Sequence, residues 1–144
     1  HRDGQFTRGK GSFAPAEWTP PAEIPDENFP FVLSTGRRLY HYHTRTQTGR
    51  CEGLNDLLPE ETADISRADA DTLGIEQGEY IYVSSRRGRV KVRAHITPEV
   101  PEGLVWMAFH FRENNANWLT IPAFDPITLT AEYKACAVNI EKDM

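Results

Sequence analysis

A chain of 144 residues, 39% hydrophobic and 26% charged, has room for one domain with a sizeable core and not for two of ordinary size. No apolar run approaches the ~18 residues that a membrane helix needs, so membrane contact by this domain is not expected. Its 16 basic residues are outnumbered by 21 acidic ones, giving a net charge of −5. That balance weighs against nucleic acid as a partner, because such domains are usually basic overall.

Other classes fall away on simple counts. Cys51 and Cys136 are the only cysteines, too few for a disulfide framework, a four-ligand zinc site or an iron–sulfur cluster. They read as ordinary reduced thiols. Residues His1 to Ser12 are polar and basic with no apolar stretch behind them, so no signal peptide is read and a cytoplasmic setting is expected. The first residue is not Met, which fits a piece of a longer chain. Neither Gly-x-Gly-x-x-Gly nor a Walker lysine motif is present, so the common nucleotide folds are not indicated.

In chain order, residues 1–30 read as an extended arm. The stretch holds Pro15, Pro20, Pro21, Pro25 and Pro30 and shows neither a helical nor a strand period. Phe6, Phe13 and Trp18 are candidates to pin it to the surface of a body. Phe31 to Ser34 is a short strand ended by Thr35 and Gly36, and Arg37 to Arg50 is a long loop. Leu54 to Pro59 forms a helical turn. Ile65 ends another short strand, and Ser66 caps a helix with Asp69 three residues on. Gly74 stops that helix. Tyr80 to Ser84 and Arg89 to Ile96 form a hairpin around Arg86-Arg87-Gly88. In its second strand Val90, Val92, Ala94 and Ile96 alternate with Arg89, Lys91, Arg93 and His95, the period of a strand with one buried face. Leu104 to Phe111 is a strongly apolar strand, and Lys134 to Glu141 holds a closing one. Short strands at regular spacing argue for a barrel or sandwich. The expected core includes Val32, Leu33, Ile81, Val83, Val90, Val92, Val105, Met107 and Val138.

Charge is segregated along this order. Ser34 to Arg50 carries four arginines, two histidines and no acid, while Ser84 to Pro98 carries Arg86, Arg87, Arg89, Lys91 and Arg93 and again no acid. The second run reads as a solvated face. The first directly follows a strand and mixes cations with short donors. Gly36 permits close backbone approach, Arg37 offers a planar fork for phosphate oxygens, and Ser34, Thr35, Thr44, Thr46 and Thr48 add hydroxyls. A pyrophosphate wants such a mixture. His41 and His43, two apart, fit three roles: a metal pair, hydrogen bonding to an anion, or ordinary packed histidines. Sequence places no third metal ligand, with His95 and His110 only distant candidates. Asn114, Asn115 and Asn117 have the paired donors and acceptors that a heterocycle edge requires, although composition alone reads them as a polar turn.

The segment Phe31 to Thr44, Phe-Val-Leu-Ser-Thr-Gly-Arg-Arg-Leu-Tyr-His-Tyr-His-Thr, resembles the molybdopterin dinucleotide-binding, C-terminal domain of formate dehydrogenase-type molybdenum or tungsten oxidoreductases. Ile65 to Ile75, Ser85 to Gly88, Met107 to Phe111, Asn117 to Thr120, Asp125-Pro126 and Glu132 to Val138 fit the same family in order. The resemblance implies a mainly β fold, a six-stranded double-psi β-barrel of the aspartate decarboxylase-like kind with one or two short helices, over residues 31–144. It implies bis(molybdopterin guanine dinucleotide) as the cofactor. The positions that match the family's cofactor contacts are Ser34, Thr35, Gly36, Arg37, His41, His43, Thr44, His110, Asn117, Tyr133 and Lys134. No catalytic residue and no metal ligand falls in this chain, so the chain alone is expected to be inactive. The implied partners are the preceding iron–sulfur and metal-ligating domains of the same subunit, or equivalent subunits. Two other readings compete: a stand-alone cofactor-binding subunit, as in formylmethanofuran dehydrogenases, and a barrel of this type used to bind proteins. The proline-rich arm favours a link from a preceding domain, and the basic Thr/His loop disfavours the protein-binding module.

Overall fold

Hydrophobic alternation and turn chemistry yield six strands in the computed structural model, which describes residues 3–143. The strands are β1 (Phe31–Gly36), β2 (Thr62–Ile65), β3 (Tyr80–Ser84), β4 (Arg89–Ile96), β5 (Leu104–Ala108) and β6 (Cys136–Lys142), with helices α1 (Glu52–Leu57) and α2 (Arg67–Leu73) between them. They close in the order β1-β5-β2-β4-β3-β6. β1 and β5, and β2 and β4, run parallel, while the other neighbours are antiparallel. This is the six-stranded double-psi β-barrel, mainly β with two short helices. Residues 1 and 2 of the expected arm and residue 144 of the expected barrel domain lie outside the described residues.

Local rules account for the elements nearest the core. Along β4, Val90, Val92 and Ala94 are buried while Arg89 and Lys91 are exposed. Ser66 Oγ accepts from Asp69 N at 3.0 Å and Gly74 closes α2 at φ 66°, a cap worth ~1 kcal/mol. Leu33, Ile81, Val83, Val90, Val92, Val105, Met107 and Val138 are buried, each contributing roughly 1.5–3 kcal/mol. Val32 departs from the expected core. Phe31, Leu33 and Thr35 turn inward, so the period of two sends Val32, Ser34 and Gly36 to the outer face, where they are only partly buried. β5 ends at Ala108 and not at Phe111, and beyond it Phe109 N still reaches Gly36 O at 3.3 Å.

The arm is held mainly by charge, with Arg86 also lying 4.6 Å over the ring of Phe29. Phe6, Phe13 and Trp18 are all exposed. The Glu23 carboxylate instead accepts from Arg86 at 2.8 Å, from Arg87 at 2.9 and 2.7 Å, and from Ala137 N at 2.9 Å. Asp26 also pairs with Arg86, and Ala22 N donates to Glu132 at 3.0 Å. The hairpin's basic run is therefore a neutralised surface. Its strand cations Arg89, Lys91 and Arg93 pair with Glu141, Asp143 and Glu60 and lie over the rings of Tyr82 and Tyr80. No helix among the described residues is long and apolar enough to cross a membrane.

Candidate functional site

β1 delivers the chain to one end of the barrel, and three other segments meet it there: the residues after β5, the short 3-10 turn at Ala116–Trp118, and the approach to β6. Between them lies a pocket of about 550 Å³ lined by Gly36, Arg37, His43, Thr44, Phe109, Asn117, Tyr133 and Lys134. Two full charges line it, both positive, and no carboxylate does. Arg37 sits 5.5 Å over the Phe109 ring, and among the described residues no carboxylate pairs with it. Lys134 donates one proton to Thr35 O, and the Thr35 hydroxyl donates to Tyr133 O at 2.5 Å. Those two bonds tie the end of β1 to the segment entering β6. Asn115 Oδ1 accepts from Asn117 N at 2.9 Å, which turns the exposed Asn117 toward the pocket mouth.

Gly36 is required here for a spatial reason. A Cβ at this position would fall 2.5 Å from Cζ2 of Trp106, so any side chain collides with the indole. The glycine lets the backbone lie flat between Trp106 and the pocket.

Seven of the eleven positions singled out from the sequence line this pocket: Gly36, Arg37, His43, Thr44, Asn117, Tyr133 and Lys134. The other four stand behind it. Ser34 lies on the outer face of β1, and Thr35 is buried. His41 is buried with Nδ1 3.2 Å from Thr48 Oγ1 and Nε2 3.0 Å from Leu58 O. His110 Nε2 accepts from Arg38 N at 2.7 Å, which leaves Nδ1 as the donor to His43 O. Burial lowers the His110 pKa below its usual value, helped by the neighbouring His41 and opposed by the His43 carbonyl, in keeping with that neutral tautomer. His41 and His43 do not share a face, because His43 takes φ 49° and the loop reverses there. No group of three His, Cys, Asp or Glu that could hold a metal exists among the described residues. Cys136 is buried, its thiol pushed up to about 11 by burial, the inert state expected of it.

Sequence reading missed three participants. Phe109 forms the aromatic wall under Arg37; its signal is its position just past an apolar strand. Arg38 turns away from the pocket onto Asp64. Glu61 is wholly buried, accepting from Ala108 N at 3.0 Å and Thr62 N at 3.1 Å. Burial raises its pKa to about 7, against the pull of those two amides and of Arg38.

With this geometry in hand, residues 31–137 match the family described as the molydopterin dinucleotide binding domain. The chain is 43% identical over 143 residues to the F420-dependent formate dehydrogenase subunit alpha of Methanocaldococcus jannaschii, covering 99% of this chain and 21% of that protein. It is 45% identical over 134 residues to the F420-dependent formate dehydrogenase 2 subunit alpha of Methanococcus maripaludis, covering 93% of this chain and 20% of that protein. It thus spans about a fifth of the length of these relatives. Among solved structures, acetylene hydratase from Pelobacter acetylenicus shares the fold at a TM-score of 0.71 and 19% identity, over 80% of this chain and 18% of that one.

Proposed function

Because the chain belongs to the molydopterin dinucleotide binding domain family, we propose that it is the part of a formate dehydrogenase-like alpha subunit that closes over molybdopterin guanine dinucleotide, with the Arg37–Lys134 pocket as the wall for the anionic groups. The observation that carries this reading is convergence. Residues from four separated segments form one pocket with two cations, several neutral donors and no carboxylate. That donor set fits a pyrophosphate. Arg37 supplies a planar fork, Lys134 keeps two ammonium protons beyond the one given to Thr35 O, and Thr44, Tyr133 and Asn117 supply neutral hydrogen bonds. Phe109 offers a flat apolar face beside them. Thr35, His41 and His110 serve by fixing the strand end and the loop, and Ser34 lies on the outer face of β1. When bound, the cofactor supplies the redox chemistry of its metal, while this chain supplies charge, orientation and exclusion of water. The preceding domains of the subunit provide the other wall, in a cytoplasmic enzyme.

The test uses the complete subunit. Arg37→Ala and Lys134→Ala should each lower the pterin and metal retained per subunit by roughly 10-fold, the scale of one charge-assisted hydrogen bond. The melting temperature should move little, because cations of this exposure matter little to stability. Early melting with full cofactor content would make both residues structural and end this assignment. The isolated chain should show neither stoichiometric molybdenum or tungsten nor formate-dependent dye reduction. Turnover above background would show that this chain is a whole enzyme.

A further inference from the structure

Arg37 and Arg38 are sequence neighbours that point to different places. Arg37 lines the pocket. The Arg38 side chain, 18% exposed, reaches back across β2. Its NH2 bonds Asp64 Oδ1 at 2.7 Å and Thr62 Oγ1 at 2.5 Å, and its NH1 bonds Asp64 Oδ2 at 3.2 Å. The guanidinium lies 4.7 Å over Trp106, the same indole that occupies the space beside Gly36. His95 of β4 braces Asp64 from the other side, with Nδ1 3.0 Å from Oδ1. The Arg38 main chain is fixed as well, through its N–H on His110 Nε2. Below, Glu61 lies 3.9 Å from Arg38 Nε and bonds Ala108 N, the residue opposite Gly36 in the β1–β5 register.

A bidentate, stacked and largely buried arginine differs from an exposed ion pair, because its planar fork fixes geometry as well as charge. Here the geometry it fixes is the junction between β1 and the basic loop, from which Arg37 projects. We propose that Arg38 is a positioning residue for the pocket: its clamp on Asp64 and Thr62 and its stack on Trp106 set the height of the Gly36 junction and so hold Arg37 in register with a bound anion that Arg38 never touches. This inference rests on the reading of the pocket given above.

The experiment uses the full-length alpha subunit and four variants: Arg37→Ala, Arg38→Met, Arg38→Lys, and the double variant Arg37→Ala/Arg38→Met. Molybdopterin retained per subunit after dialysis is quantified, beside the melting temperature and hydrogen exchange of the amides at 36–38. Arg38→Met should lower retention roughly 10-fold, the scale seen when the support of a ligand-holding group is removed. Exchange at the junction should quicken. The double variant should retain no less than Arg37→Ala alone, because a residue that acts through Arg37 has nothing left to position. Arg38→Lys keeps the charge and the fold but loses the fork, and should fall close to Arg38→Met. Wild-type retention in Arg38→Lys, or additive losses in the double variant, would overturn the clamp while leaving the pocket reading intact. Full retention in Arg37→Ala would instead overturn the pocket reading, and this proposal with it.

Discussion

Arg86, Arg87, Arg89, Lys91 and Arg93 of the β3–β4 hairpin each meet a carboxylate. In the loop after β1, Arg38 and Arg45 have acidic partners, while Arg37 and Arg50 have none among the described residues. The two runs look alike in sequence, yet one is a neutralised surface and the other keeps uncompensated charge at a pocket. The carboxylates beside them record the difference. Glu23, gripped by Arg87, Arg86 and the Ala137 amide against the cost of burial, is held down to about 2. Glu61, where burial outweighs two amides and a guanidinium that is 3.9 Å away and committed to Asp64, is pushed up to about 7. A cation's effect depends on where its donors point, and not on how many cations stand nearby.

The largest way to break this comparison is to remove the hairpin's partner. Glu23→Ala leaves Arg87 and Ala137 N short of an acceptor, while Arg86 keeps Asp26, and should cost about 3 kcal/mol in denaturant unfolding, the scale of a broken low-exposure pair. A loss below ~0.5 kcal/mol would return the hairpin to an ordinary solvated face. Next is pH. Glu61 titrates higher folded than unfolded, so the stability it lends is full below about pH 4.5 and is lost as pH rises through about 7, an effect of about 2–3 kcal/mol. Glu23 runs the other way: its stability is present above about pH 4.5 and is lost as pH falls toward 2. The unfolding free energy should therefore peak near pH 5, and Glu61→Gln should flatten the decline from pH 5 to 8. A wild-type curve already flat over that interval would contradict the burial argument. The smallest effect is expected from Arg89→Ala, whose pair with Glu141 is half-exposed on both sides; a shift of ~0.5 kcal/mol or less in the denaturation midpoint is expected.

How much of this was legible beforehand follows the range of the interactions. The β4 alternation, the Ser66 cap and the Gly74 stop are local, and each stands where short-range rules put it. Strand parity was also available, and applied to Leu33 and Thr35 it sends Val32 and Ser34 outward. The bonds between Glu23 and Arg87 span 64 residues, and no period or composition announces them. Glu61 ends an acidic stretch, Glu52 to Glu61, that is not diagnostic in sequence; only closure of the barrel, which brings Ala108 N over it, makes it a buried group. The basic loop was readable as an anion site by composition. The fact that His41 and His110 serve as braces depended on positive φ at His43 and Arg45, conformations that non-glycine residues seldom adopt.

Closure of the barrel has a further consequence, for assembly. β1 is flanked by β5 and β6, and every strand has two neighbours, so the sheet has no free edge to zip onto another polypeptide. A closed sheet of this kind can meet another polypeptide through side-chain surfaces, loops or the arm, and not by adding a strand to an open edge.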